Sequence, residues 1–334
     1  MKNQHLTYFK VENFKKFDSL EVKDIGQFNL IVGDNNVGKT CFLEALLIDS
    51  DSKITNTNFI ISLLNRKILS FNNIYKTSES SFSFFKHLAK KNDSTSIINY
   101  QLNKRKIKGD VKDFELPLNF KDKWDRPLIS DKNIFDLEIS HRFFRKSLQN
   151  FNYPLISLNS NEDDIVDLYN SLTTKKDKED LIQVLKVIFP LIIDVEYKIE
   201  FKQIFDTFIF SFKDKDEFIP LNYLGDGFKR IFYIILKVLS LKGKRIMIDE
   251  IETGIHHSRQ KDFLKNTLKV CKELDVQLFA TSHSKECETA FAEALKEIKE
   301  EKIGRLISLQ EEKDGIKSYV YQIENLDLDY EYRG

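Results

Sequence analysis

The apolar run Phe28-Asn29-Leu30-Ile31-Val32 leads directly into Gly33-Asp34-Asn35-Asn36-Val37-Gly38-Lys39-Thr40, and Cys41-Phe42-Leu43-Glu44-Ala45-Leu46-Leu47 leads out of it. This is a complete G-x-x-x-x-G-K-[ST] phosphate loop in the strand, loop and helix setting that the pattern requires. Gly33 and Gly38 let successive backbone N–H groups turn in on an anion, and the following helix adds its unpaired donors and positive dipole end. Lys39 supplies a point charge for β- and γ-phosphates, and the Thr40 hydroxyl is placed to ligate Mg²⁺. The pattern implies a nucleoside triphosphate, cradled by Gly33, Asp34, Asn35, Asn36, Val37, Gly38, Lys39, Thr40 and Cys41.

A chain of 334 residues can bury a large core and has room for one large or two ordinary domains. Its 52 Lys and Arg balance 52 Asp and Glu, so no overall field draws it to nucleic acid or to an anionic membrane. Cys41, Cys271 and Cys287 form no C-x-x-C pair, which argues for a reducing interior and against a disulfide framework or a zinc site. No run approaches the roughly 18 apolar residues of a spanning helix, and the Met-Lys-Asn-Gln-His start lacks the apolar core of a signal peptide. A cytoplasmic protein with no membrane partner is expected.

Residues 5 to 25 alternate like two paired strands ahead of the phosphate-loop strand. From 51 to about 130 the chain turns polar, with helical stretches and a strand expected at Ser96 to Leu102. Strand character returns at Tyr153 to Leu158. Amphipathic helices are expected at about Asn161 to Leu172 and Lys178 to Phe189, the second ended by Pro190. Strands at about Val195 to Phe201 and Thr207 to Phe212 precede Tyr223-Leu224-Gly225-Asp226-Gly227-Phe228-Lys229-Arg230, which opens an apolar helix over Ile231 to Leu241. Two glycines at a loop-to-helix junction repeat the anion-binding logic of the phosphate loop.

The strand Arg245-Ile246-Met247-Ile248 ends in Asp249 and Glu250. In a phosphate-loop enzyme an acid there holds the Mg²⁺ shell, and the next acid can orient and deprotonate the attacking water. Asp249 is therefore assigned to the metal and Glu250 to the base. A helix over about Ser258 to Leu274 leads to Val276-Gln277-Leu278-Phe279-Ala280-Thr281-Ser282-His283. If the three strands are parallel neighbours, His283 shares the sheet edge of the loop and the acids and can sense the γ-phosphate. His256 and His257 lack a third metal ligand.

This order of pieces resembles the ABC-class ATPases. More narrowly, Asn13-Phe14-Lys15-Lys16-Phe17, Leu224-Gly225-Asp226-Gly227 and Glu252-Thr253-Gly254-Ile255-His256 are similar to the AAA-15/AAA-21 group, related to the overcoming-lysogenisation-defect (OLD) and RecF/SMC-type ATPases. The resemblance covers about 5 to 50 and 150 to 310. It implies an α/β, ABC-type P-loop head with an N-terminal antiparallel β lobe and a helical insertion. The head would divide into 1–50 with the phosphate loop, a variable insertion at 51–150, and 151–334 with signature, acid strand and histidine loop. It further implies a head-to-tail homodimer around ATP and Mg²⁺, in which Gly225, Asp226, Gly227 and Lys229 meet the partner's nucleotide.

Two departures from the family stand out. Gly225 replaces the serine of many ABC signatures, which leaves the trans contact to backbone amides with Lys229 or Arg230 as candidates. The coupling glutamine is not identifiable; Gln101 is a candidate by position, as is the aromatic Phe82 to Lys86 segment. Three functional classes share these motifs. A repair or anti-phage switch, controlling a separately encoded effector such as a TOPRIM-type nuclease, is favoured. A transporter subunit is disfavoured by the missing serine-glycine-glycine-glutamine signature, and a non-hydrolysing scaffold by the intact Lys39, Asp249 and Glu250. The stretch after His283 is expected to be too short for an appended nuclease, and Asp327 and Asp329 read as solvated tail. DNA is a candidate ligand for Lys104, Arg105, Lys106 and Lys108, and for Arg142, Arg145 and Lys146 beside Phe143 and Phe144.

Overall fold

A computed structural model describes residues 5–49, 52–65, 88, 97–110, 153–157, 164–198 and 207–326. The Phe82 to Lys86 segment, Arg142 to Lys146, Asp327 and Asp329 lie outside the described residues.

Alternating apolar positions make β1 (Tyr8–Phe14) and β2 (Phe17–Lys23) an antiparallel hairpin, closed where Phe14 faces Phe17. Then come β3 (Phe28–Val32), α1 (Lys39–Ala45) and α2 (Ser52–Asn65). Next, β4 (Ile97–Leu102) pairs antiparallel with β1 and with β5 (Arg105–Asp110). The resulting sheet has the order β2-β1-β4-β5, so residues from the expected insertion extend the N-terminal lobe.

The second half begins with β6 (Leu155–Ile156), α3 (Asp164–Asn170) and α4 (Lys175–Ile188). A capping box starts α4: the Thr174 hydroxyl accepts from the Asp177 N–H at 3.1 Å while the Asp177 carboxylate accepts from the Thr174 N–H at 3.3 Å. Strands β7 (Ile192–Lys198), β8 (Thr207–Phe212) and β9 (Ile219–Pro220) form a small antiparallel sheet. The remaining elements are α5 (Asp226–Ser240), β10 (Arg245–Ile248), α6 (His257–Glu273), β11 (Gln277–Thr281), α7 (Lys285–Glu297), β12 (Gly304–Glu312) and β13 (Gly315–Gln322).

Among the described residues the central sheet runs β13-β12-β3-β11-β10-β6, parallel throughout except for the β13 edge. Parallel strands covered on both faces need continuous apolar runs, and every residue of β3 and β11 is buried. Asn29 is tolerated in that run because its amide is satisfied, donating to Gly26 and Leu278 carbonyls and accepting from the Gly26 N–H. The pleat divides the core in two. Leu30, Ile248, Leu278 and Leu306 face the helices α3 to α7, while Ile31, Met247, Phe279 and Ile307 face α1 and the N-terminal sheet. The fold is thus α/β with an antiparallel N-terminal lobe, as the motifs imply.

Candidate functional site

The register of the central sheet assembles the site. Strand β11 lies between β3 and β10, all parallel, so the loops after each strand emerge at one edge. Such a carboxyl edge is the ligand-binding position of open parallel sheets.

The phosphate loop is shaped by three left-handed residues, Gly33 (φ 136), Asn36 (φ 67) and Gly38 (φ 109). A Cβ on Gly33 would stand 2.3 Å from the Leu309 carbonyl oxygen of β12, so backbone meets backbone there. Asn36 is held from the hairpin turn: the Lys16 ammonium donates to its carbonyl and, at 2.6 Å, to its side-chain oxygen. Lys39 is 4% exposed and turns back to donate to the Gly33 and Asp34 carbonyls. Burial holds its pKa below the usual lysine value, against the opposing pull of Asp34, Asp249, Glu250 and Glu252.

The Thr40 hydroxyl donates to Asp249 at 3.0 Å, and the Thr281 hydroxyl donates to the same carboxylate at 2.7 Å. Hydroxyl and carboxylate oxygens are the hard donors that Mg²⁺ selects, and this ion usually takes one or two carboxylates plus substrate phosphates. Among the described residues no group of three or more His, Cys, Asp or Glu is arranged to hold a metal by itself. Thr40 and Asp249 suit an ion that shares its shell with a triphosphate.

Glu250 is held by its backbone and its side chain alike. Its backbone is left-handed (φ 49), rare for a non-glycine residue. Its N–H donates to the Thr281 hydroxyl at 2.8 Å, and its carbonyl accepts from the Arg230 Nη2 at 3.0 Å. Its carboxylate lies 3.2 Å from His283 Nε2 at one oxygen and accepts from the Thr253 hydroxyl, also at 3.2 Å, at the other. The sheet therefore brings Lys39, Thr40, Asp249, Glu250 and His283 together.

Residues without an assigned role in the sequence complete this wall. Glu252 Oε1 accepts from the Ser282 hydroxyl and the His283 N–H, each at 2.9 Å, and so fixes the loop that carries the imidazole. Glu288, in the first turn of α7, is a half-buried carboxyl whose pKa is raised by desolvation. The E-x-G and T-S-H patterns contain Glu252 and Thr281, but their partnership depends on strand register, which spacing does not reveal.

The second glycine motif starts α5. Gly225 (φ 81, ψ 163) occupies a region open essentially to glycine alone and caps the helix. A Cβ at Gly225 meets no described heavy atom within 4 Å, and one at Gly227 meets only the Gly254 oxygen at 3.9 Å. Packing among the described residues leaves both sites open. Phe228 anchors the helix, its ring 4.4 Å from Phe189 and 4.9 Å from Phe210. Arg230, a candidate for trans phosphate contact, instead holds the Glu250 carbonyl within its own chain. His256 and His257, the N-cap and first residue of α6, stack at 4.1 Å, and the Gln101 amide donates to the Asn103 carbonyl in the N-terminal sheet.

The family model described as "AAA domain, putative AbiEii toxin, Type IV TA system" matches residues 28–286, more than half of the chain. The chain belongs to the AAA_21 family. Its match begins at β3 and ends just past His283, so the AAA_21 region contains the phosphate loop, the second glycine motif, the acid pair and the histidine loop. An "ATP/GTP phosphatase" of Helicobacter pylori (strain ATCC 700392 / 26695) is 34% identical over 126 residues, 36% of this chain. That match spans 33% of the relative's length. Among solved structures, a Smc head bound to the C-winged helix domain of ScpA aligns over 96% of this chain and 99% of its own (12% identity, TM-score 0.48). The SMC head domain from Thermotoga maritima aligns over 95% and 99% (12% identity, TM-score 0.47). Among the described residues no helix is long and apolar enough to cross a membrane.

Proposed function

We propose that this AAA_21 chain is an ATP-hydrolysing molecular switch that closes as a head-to-tail dimer around ATP and Mg²⁺. The observation that carries the reading is the Glu250 carboxylate beside His283 on the same sheet edge as Lys39 and the Thr40–Asp249 pair. A scaffold that only bound nucleotide would have no need of a carboxylate held at both oxygens and both backbone atoms.

In this reading the loop amides and Lys39 hold the β- and γ-phosphates, and Thr40 and Asp249 hold Mg²⁺, which supplies charge neutralisation at the transferred phosphoryl group. Water attacks the γ-phosphorus, the bond to the β-phosphate bridging oxygen breaks, and Glu250 takes the proton lost by the water. His283 orients Glu250 and faces the transferred phosphoryl group. Gly225, Asp226, Gly227 and Lys229 meet the nucleotide of the second copy; the open space over both glycines supports this. Hydrolysis then releases the dimer, which controls a separately encoded effector in anti-phage defence or DNA repair, a TOPRIM-type nuclease being the candidate and DNA a candidate ligand. The toxin-antitoxin wording of the family description supports the defence setting.

Phosphate release and light-scattering mass, measured with and without ATP and Mg²⁺, test the reading. Glu250→Gln is expected to bind ATP, to lose at least about a hundredfold in turnover and to accumulate the dimer. Wild-type turnover in that variant, or a monomer at saturating MgATP, would sink the reading.

A further inference from the structure

We propose that Arg230 is a positioning residue for hydrolysis, tying the start of the second-glycine-motif helix to the backbone of Glu250. The inference rests on the ATPase reading above and adds to it an internal route from the dimer-facing motif to the proposed base.

Glu250 is held in its left-handed conformation from two sides. On the sheet side, Thr281 of β11 accepts from its N–H; on the helix side, Arg230 Nη2 donates to its carbonyl at 3.0 Å, alongside the Thr253 N–H. The sheet-side anchor is fixed by strand register. The helix-side anchor rides on α5, five residues beyond Gly225. Movement of the α5 start is therefore transmitted to the Glu250 peptide, and through φ to the direction of its carboxylate. Catalytic geometry is steep: a displacement of about 1 Å can cost about a hundredfold in rate.

The surroundings of Arg230 are those of a device with a second position. Among the described residues its Nε is buried without a hydrogen-bond partner, and so is Glu252 Oε2. Glu252 also leads the carboxylates acting electrostatically on the guanidinium. Two unsatisfied buried groups of opposite charge cost more apart than joined. A small shift of α5 that brings Arg230 Nε to Glu252 satisfies both, and Glu252 already holds Ser282 and the His283 N–H. One arginine thereby reaches both members of the Glu250–His283 pair. Gly254, whose missing side chain leaves the Arg230 Cδ 3.9 Å from an ideal Cβ position, leaves room beside the guanidinium stem.

The test uses full-length protein with Arg230→Met, which keeps the buried stem, and Arg230→Lys. Binding of a fluorescent ATP analogue, steady-state kcat and melting temperature are measured for each. Arg230→Met is expected to lower kcat at least about tenfold while leaving nucleotide Kd within about threefold, because no phosphate-loop contact is touched. Arg230→Lys is expected to restore part of kcat, and millimolar guanidinium added to Arg230→Met is expected to do the same. Should Arg230→Met fail to fold, Arg230→Gln is read in its place. Unchanged kcat overturns the proposal, as does a loss of kcat that neither lysine nor guanidinium relieves and that tracks the melting temperature, since that marks a packing role. A wild-type protein without turnover sinks the ATPase reading itself; wild-type turnover with an unaffected Arg230→Met sinks only the positioning role.

Discussion

Lys39, the proposed phosphate contact, is buried at a cost to the fold. Burial lowers its pKa, so the folded chain binds its proton less readily than the unfolded chain does. Its charged form therefore opposes folding at neutral pH, and the opposition fades as pH rises toward the ordinary lysine value of 10.5. Lys39→Met is expected to abolish nucleotide binding while raising the nucleotide-free melting temperature at pH 7, with the gain shrinking by pH 10. A melting temperature that drops at pH 7 would contradict this. Glu288 follows related logic with the opposite charge: its raised pKa means the carboxylate form opposes folding above that titration. Glu288→Gln should stabilise the protein at pH 7 and make no difference below pH 4.5, the ordinary value for this group; thermal melts across that range decide it. Lys39, Asp249 and Glu250 were legible in the sequence because each belongs to a contiguous motif. Glu252 and Thr281 were not, since the contacts that define them cross between strands.

At the scale of elements, the hairpin turn Asn13 to Phe17 does more than close β1 on β2. Its Lys15 ammonium donates to Glu44 of α1 at 2.6 Å, and that carboxylate, 1% exposed, also accepts from the Ser62 hydroxyl of α2 at 2.9 Å. The turn thus pins the phosphate-loop helix from below while Lys16 pins the loop itself. Removing one partner of a buried pair leaves the other poorly compensated, so Lys15→Met should cost on the order of 3 kcal/mol, and adding Glu44→Leu should recover most of it. Urea midpoints measure both, and a single-variant loss below about 0.5 kcal/mol would refute the pinning. The N-F-K-K-F pattern was visible as a family mark, yet its function as a brace was not, because nothing local links residue 15 to residue 44. The pairing of β4 with β1 was hidden for the same reason.

At the scale of the whole molecule, Gly227 in the first turn of α5 lets stability be tested apart from the proposed assembly. Gly227 lies in regular helix and a Cβ there meets nothing closer than 3.9 Å, so Gly227→Ala should stabilise the monomer by about 0.5 kcal/mol. In the proposed dimer the same methyl would stand against the second copy's nucleotide, and ATP-dependent dimerisation in the Glu250→Gln background should weaken at least about tenfold. Dimerisation that survives intact would move the interface elsewhere. Taken by itself, the sequence determined that a strand, an anion-binding loop and a helix follow one another, and that two acids end a later buried strand. Those are properties of adjacent residues, governed by backbone sterics and local periodicity. Only the tertiary structure decided that β11 lies between β3 and β10, that Thr281 and Arg230 grip Glu250 from opposite sides, and that Glu252 holds the histidine loop. Strand order and register set those contacts, and they are chosen by how two apolar faces bury against their helices across the full length of the chain.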